Sequence, residues 1–436
     1  MAQRTDHAEP VESAEPLEPA GHGGHAGPAD LTVIGGGLGG LVAAVAAAEE
    51  GARVQLFEAH RTLGGRARST TSDPGEPYVA NEGPHALYSD GPHWSWLVER
   101  GLATPARPAP LGATFRLRFR HQGRLRALPP RGVLAASAHR RLRAPVDQDF
   151  TTWATGRFGE RDAAAMAAAT GVTVYDFDPG RLSAAYVWER FQRLVRPGRP
   201  SARYVVGGWQ AMVDRLAARA RELGVVIETG ARVDAVPTRT PVIVATSLPA
   251  ARRLLGDPAL AWASGRAVLL DLGLRQRRGD PFIVFDLDEA GFVERVTVPD
   301  PTLAPAGHSL VQAQLPLRPD ESKAAGLTRL ETTLDLGLPG WRERVTWRRD
   351  AVASGRTGAV DLPGTSWLDR PAIDRGDGVF LVGDQVAAPG MLGEVTLASA
   401  LTAAELALAQ LRPGINRPRS NATATAAARS FTPSLP

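Results

Sequence analysis

LTVIGGGLGGLVAAVAAAEEGARVQLFEAH (residues 31–60) is the stretch whose reading decides the fold. Its first four residues are an apolar run that stops directly at glycines, the pattern of a buried parallel strand. Gly35, Gly37 and Gly40 then make G-x-G-x-x-G, with Gly36 and Gly39 as further permissive positions. In such a turn the first glycine permits the tight bend and the second lets a pyrophosphate approach the backbone. The third lets the helix lie close on the sheet. Leu, Val and Ala over 38–50 suit a helix, and Gly51 supplies its stop. RVQLFE alternates as a second strand and ends on Glu58, eighteen positions after Gly40. That is close to the roughly 20 at which a dinucleotide fold places its ribose-binding acid. The spacing predicts a strand–helix–strand unit with Glu58 accepting from the adenosine ribose hydroxyls; its charge argues against a 2′-phosphate there.

Just beyond Glu58, Gly64 and Gly65 let the chain turn sharply against a ligand, and Arg66 offers a charged donor to a phosphate or ring oxygen. G-x-G-x-x-G, then Glu58, then G-G-R-x-x-S ending on Ser69, resembles the amine oxidase, protoporphyrinogen oxidase and phytoene desaturase superfamily of FAD-dependent oxidoreductases. NEGPHALY (81–88) is similar to the phytoene desaturase-like branch, where this loop, here with Gly83, Pro84 and His85, passes near the isoalloxazine ring. YVVGGWQAMVDRLAARARELGVVIETGARV is similar to that group's central segment, whose final valine, Val233, contacts adenine through its backbone. GVFLVGDQVAAPGMLGEVTLASALTAAELAL is similar to its C-terminal signature. The resemblance implies that Gly383 and Asp384 meet the ribityl chain and pyrophosphate, and that Met391 and Leu392 approach the ring. Leu38 and Gly39, inside the glycine turn, join the implied contacts. The likeness runs from residue 31 to about 411, specific in the nucleotide half and loose elsewhere.

The residues read by themselves favour the same cofactor. Asp384 ends an apolar strand at a position suited to a polyol, and the next helix is expected to open near Gly393 with its N-terminal dipole toward the flavin's pyrimidine edge. The chain holds one convincing G-x-G-x-x-G. An enzyme reducing its flavin with a nicotinamide usually needs a second nucleotide site. The expectation is FAD held tightly, not a nicotinamide that exchanges.

The implied fold is α/β, a discontinuous Rossmann-type FAD-binding domain plus an α+β substrate domain. FAD-binding pieces are expected over 30–100, 202–255 and 371–412, and substrate pieces over 101–201 and 256–370. Residues 1–29 and 413–436, rich in small and polar residues and proline, are expected to be disordered tails.

Composition removes other classes. The absence of cysteine excludes disulfides, thiolate metal sites and a cysteine nucleophile. No metal site is expected; His22 and His25 lie in the N-terminal tail without a ligand cluster. No apolar run reaches the roughly 18 residues a spanning helix needs, and the N-terminus lacks an apolar signal-peptide core. A cytoplasmic protein is expected, with membrane-peripheral placement the alternative.

Charge is uneven. Residues 101–146 hold ten arginines and no Asp or Glu, while the remaining chain carries 40 basic and 46 acidic residues. FRLRFR (115–120) reads as a strand with an apolar and a cationic face. A solvated face, a substrate bearing carboxylate or phosphate, and an anionic membrane surface are the three readings of this patch. Nucleic acid is not expected.

His85 is the candidate catalytic side chain, since imidazole gives or takes a proton near neutrality; a hydrogen bond to FAD or backbone is its other reading. Lys323, the sole lysine, sits in PDESKAAG, which reads as an exposed polar turn. Amine oxidases of the resembling superfamily place a lysine beside the flavin, so its setting lowers that reading. Tyr186, Trp188 and Phe191 fall at helical spacing, suiting core or an apolar cavity wall. The expected activity is a desaturase or dehydrogenase passing hydride from a hydrophobic or polycyclic metabolite to flavin, with oxygen or a quinone as acceptor. A redox-neutral flavin isomerase or an amine oxidase is the alternative.

Overall fold

β1 (Leu31–Ile34), α1 (Leu38–Glu49) and β2 (Val54–Glu58) form the anticipated unit. The computed structural model describes residues 28–71, 78–83, 86–91, 93–103, 105–196 and 201–411. The expected tails fall outside these residues apart from 28 and 29.

β1 is buried at every position because it pairs on both edges, with β2 on one side and Val242–Val244 on the other. The sheet is parallel throughout, in the order Val226–Thr229, β2, β1, Val242–Val244, Val379–Leu381. Register places Ile34 beside Phe57 and Val244, and Val244 beside Leu381, so the carboxyl ends line up along one edge. Stretches far apart in the chain thus share one sheet. α1 is apolar from Leu38 to Ala48, and every residue of that run except Ala46 is buried. Its alanines let helices Trp209–Glu222 and Gly393–Leu411 approach closely from two sides.

The second sheet has seven strands, in the order Val345–Ala359, Ser264–Arg275, His308–Pro316, Phe292–Glu294, Ile283–Asp286, Leu117–His121, Arg124–Arg126. Only the pair Leu117–His121 and Ile283–Asp286 is parallel. One face carries Val268, Leu270, Val311, Ala313 and Leu315, packed on Leu330 and Leu334 of helix Lys323–Gly337. Strand alternation puts Asp271, Gln312, Gln314 and Glu294 on the opposite face. A separate helical core holds Phe150, Trp153, Met166, Tyr186, Trp188 and Phe191. The aromatic stripe of helix Ala184–Leu194 is therefore packing, not a cavity wall.

Two local expectations need correction. FRLRFR is not one strand: Phe115 and Arg116 close a 3-10 turn, Leu111–Arg116, and the strand begins at Leu117. Its cationic face is also largely spent inside the protein. Arg120 bonds Asp286 at 2.7 Å and Thr333 at 3.1 Å, and Arg118 donates to the Phe115 and Leu117 carbonyls at 2.9 and 2.7 Å. Lys323 opens helix Lys323–Gly337 instead of sitting in a turn, and pairs with Asp350. Among the described residues no helix is long and apolar enough to cross a membrane, and no cluster of acids and histidines suits a metal ion.

Candidate functional site

The site forms where the parallel strands end, and the glycines there divide by what surrounds them. Gly35 has φ +109°, and a Cβ on it would lie 2.6 Å from the Ala245 carbonyl oxygen. A Cβ on Gly40 would sit 1.8 Å from the Gly35 oxygen, and one on Gly39 would strike Val382 and Thr396 at 2.6 and 2.9 Å. Gly35, Gly39 and Gly40 are thus consumed by protein packing, as is Leu38, which opens α1 and is buried. Gly37 differs: its φ is −76°, and a Cβ there would find nothing nearer than Gly64 O at 3.8 Å. Gly383 and Gly393 behave likewise, the first finding Thr246 O at 4.0 Å and the second nothing within 4 Å. Neither has a left-handed backbone. No protein atom fills the space at these three glycines, which leaves bare backbone there with room for an extended ligand.

Glu58 is buried at the end of β2. Its carboxylate accepts from the Gly36 amide at 2.7 Å and the His60 amide at 2.8 Å, which aims it across the glycine turn. The His60 ring Nδ1 lies 2.7 Å from the same carboxylate; with about four acceptor sites on a carboxylate, capacity remains for about one further donor such as a ribose hydroxyl. Val233 follows the neighbouring strand, held close through Ala231 N–H to Glu58 O at 2.9 Å and Gly230 N–H to His60 O at 2.8 Å. The Gly64–Gly65 loop folds onto the same turn: Gly64 donates to Gly36 O at 2.8 Å, and both glycines adopt positive φ, +110° and +56°. Gly83 is next in line, a Cβ there lying 3.4 Å from Arg66 O. Pro84 and His85 lie outside the described residues.

Arg66 and Asp384, 318 residues apart, meet as a two-pronged ion pair, with Arg66 Nη2 donating to Asp384 Oδ1 at 2.9 Å and Nη1 to Oδ2. Nη1 also donates to the Arg356 carbonyl at 2.8 Å. The charge of Asp384 pushes the Arg66 pKa further up. Arg66 is therefore committed to the protein, orienting Asp384 and tying both to the long strand Val345–Ala359, instead of standing free for a phosphate. Leu392 sits close to Gly358 and has φ +53°, a conformation costly for leucine. Met391 is buried, its amide donating to Glu394 at 2.9 Å.

Glu394 opens a group of residues that sequence reading missed. Arg193 grips its carboxylate with both Nη atoms at 2.5 Å, and reaches Asp90 through Nε at 3.2 Å. The guanidinium lies 5.0 Å from the Tyr88 ring centre. Tyr204 donates to buried Glu294 at 2.5 Å, and Gln314 donates to Tyr175 Oη at 3.3 Å. Burial pushes the Tyr88 and Tyr204 phenols up, and that of Tyr175 up to about 12, so all three are neutral donors near pH 7. Arg193 thus joins Tyr88 to Glu394, while Tyr204 is joined to Glu294 and Tyr175 to Gln314. His93 Nε2 is 3.8 Å from Glu394, and burial lowers its pKa. One signal was legible: in HSLVQAQLP, Gln312 and Gln314 alternate with apolar residues, marking a buried strand with one polar face.

A family model for an NAD(P)-binding Rossmann-like domain matches residues 33–100. No curated protein matches the chain. Among solved structures, an oxidoreductase from Methanosarcina mazei is similar with a TM-score of 0.69 at 17% identity, covering 86% of this chain and 99% of that one. Cyclohexylamine oxidase from Brevibacterium oxydans is similar with a TM-score of 0.66 at 16% identity, over 88% of this chain and 99% of that one. A reduced UDP-galactopyranose mutase gives 0.67 at 14% identity, over 88% and 96%. At these identities the likeness is one of fold: an α/β chain with a Rossmann-type domain.

Proposed function

We propose that this chain is an FAD-dependent oxidoreductase that takes hydride from a carbon of a largely apolar or polycyclic metabolite, with oxygen or a quinone as final electron acceptor. The observation that carries the reading is the set of glycines, Gly37, Gly383 and Gly393, left open by the protein along one edge of the parallel sheet. They run between Glu58 at one end and the Arg66–Asp384 pair at the other, a track suited to ribose, pyrophosphate and polyol in turn. The structural relatives described as an oxidoreductase and an amine oxidase support the same class.

When bound, FAD supplies the two-electron acceptor. In this reading the N-terminus of α1 faces the pyrophosphate, and Asp384, held in place by Arg66, accepts from the ribityl hydroxyls. Met391 and Leu392 close the ring's surroundings against water, which favours charge movement there. Tyr88, Tyr175, Tyr204 and Gln314 present fixed polar groups to the substrate side, so the metabolite carries hydrogen-bonding substituents on its apolar body. His85 is assigned to proton transfer at the ring; a His85→Ala protein with full FAD and full turnover would remove it from the mechanism.

A redox-neutral rearrangement is the second reading, favoured by that same polar wall and by the fold shared with a mutase. An amine oxidase reading loses support from Lys323, which pairs with Asp350 at the start of a helix packed on the other face of the seven-stranded sheet. The purified protein is expected to be yellow, with a flavin band near about 450 nm. Bleaching on anaerobic addition of substrate marks net oxidation, and unbleached turnover marks rearrangement. A folded, colourless protein that takes up no FAD would end both.

A further inference from the structure

Glu394 is the second residue of helix Gly393–Leu411, and it is almost fully buried, at 5% exposure. An acid in the first turn suits the helix dipole, which explains a glutamate at a solvated helix start. It does not explain one inside the protein, where the ion has to be compensated. The compensation comes from 201 residues away: Arg193, near the end of helix Ala184–Leu194, grips both carboxylate oxygens. The two helices belong to different cores, the first packed with the parallel sheet and the second with the helical group around Trp153.

The same carboxylate holds the loop before its own helix. The Met391 amide donates to Glu394 Oε2 at 2.9 Å, and the Glu394 amide returns a bond to the Met391 carbonyl at 3.1 Å. Between them Leu392 keeps φ +53°, a conformation that leucine holds only where its surroundings enforce it. Gly390 has φ +115°, and a Cβ on it would lie 2.7 Å from Glu394 Cβ, so the loop passes in contact with this side chain. Gly91 approaches from another loop, where a Cβ would lie 3.0 Å from Glu394 Oε1. Arg193 bonds Asp90 in that loop, and its guanidinium lies 5.0 Å from the Tyr88 ring centre. One ion pair thus joins residues 390–392, set at the flavin ring in the proposed function, to Tyr88, set there on the substrate side.

A neutral pair of similar volume could tie the same elements together, because buried charges are seldom needed for stability. What charge adds is a field. A carboxylate held beside a flavin opposes the negative charge gained on reduction, and a cation on that carboxylate cancels the opposition. We propose, resting on the flavin reading above, that Arg193 and Glu394 are a positioning pair for the cofactor, fixing residues 390–392 at the ring while Arg193 offsets the charge of Glu394 there. Burial keeps Tyr88 and His93 uncharged near pH 7, which leaves Asp90, on the exposed side, as the other charge on Arg193.

The midpoint potential of the bound flavin, measured against a reference dye, reads this charge balance without turnover. Arg193→Gln alone strands a buried carboxylate, so the test uses Glu394→Gln, Arg193→Gln/Glu394→Gln and Arg193→Lys. Glu394→Gln keeps an acceptor for the Met391 amide and leaves Arg193 paired with Asp90, so it should fold. It is expected to favour the reduced flavin about tenfold, a rise of about 30 mV for a two-electron couple. Arg193→Gln/Glu394→Gln removes both charges and should return to within about threefold of the parent, about 15 mV. Arg193→Lys keeps the charge without the two-pronged grip and should hold the parent's potential. A purely structural tie predicts the reverse order, with the double variant departing from the parent at least as far as Glu394→Gln. That order, or a Glu394→Gln potential equal to the parent's, would overturn the proposal while the protein stays yellow. A folded parent that takes up no flavin would instead remove the cofactor reading, and the pair's assignment with it.

Discussion

The two sheets of this molecule build their share of the site by opposite means. The five-stranded parallel sheet works with backbone: its strand ends line up along one edge, and Gly37 and Gly383 leave bare Cα atoms with open space beside them. The seven-stranded sheet works with side chains: Glu294, Gln314 and their tyrosine partners come from strands and loops across the chain. A backbone cradle tolerates no insertion of atoms, whereas a side-chain wall can be trimmed group by group. Mutations in the two halves should therefore fail differently.

The largest contrast lies within the first half. Gly40→Ala puts a methyl 1.8 Å from the Gly35 carbonyl oxygen, and should cost about 3 kcal/mol or more in urea unfolding of the protein without added flavin. Gly37→Ala meets no such obstacle. Its unfolding free energy should change by about 1 kcal/mol or less, while FAD affinity, measured by fluorescence titration, drops at least about tenfold. A Gly37→Ala protein that binds FAD like its parent would break the claim that this glycine is reserved for the ligand.

Next comes the bridge between the halves. Asp384→Ala leaves Arg66 with the Arg356 carbonyl and no carboxylate. It should lower stability by about 1–3 kcal/mol and reduce flavin retained through gel filtration. Unchanged flavin content would show that Asp384 serves the Arg66 pair alone.

In the second half, Tyr204→Phe removes a donor from buried Glu294 and should destabilise by about 1–3 kcal/mol with flavin stoichiometry intact. Flavin loss here would collapse the distinction between a cofactor half and a substrate half. The smallest effect concerns pH. Burial holds His93 neutral by lowering its pKa from the ordinary 6.5, so the unfolded chain takes up a proton first as the solution is acidified. This contribution is complete above about pH 6.5 and is lost as pH falls below it. His93→Gln should flatten that part of a stability-against-pH curve, and an unaltered slope between pH 7 and 5 would assign it to other groups.

Legibility in the sequence followed the same division. The strand–glycine–helix unit, Glu58 and the helix opening at Gly393 were readable because local spacing and backbone permission are properties of contiguous residues. Reading the glycines as one class was the limit of that approach. Gly35, Gly39 and Gly40 differ from Gly37 in what packs against them, and Gly35 also in its positive φ. FRLRFR misled because alternation predicts a strand wherever it occurs, while Pro108 and Pro110 upstream and the packing of Ala113 favour a turn over Phe115 and Arg116. Arg193 gave no sign of its role; on its own helix it is one more basic residue near the C-terminal end.

The order of residues by itself determined a dinucleotide-type βαβ unit, an acid at the ribose position and a one-signed block of arginine, each set by short-range spacing or composition. Only the tertiary structure decided that Arg66 belongs to Asp384, that Arg193 belongs to Glu394, and that Leu111, Phe115 and Leu128 are each exposed. The physical reason is that ion pairing, burial and exposure depend on neighbours in space, and those neighbours are supplied by chain segments up to about 300 residues away.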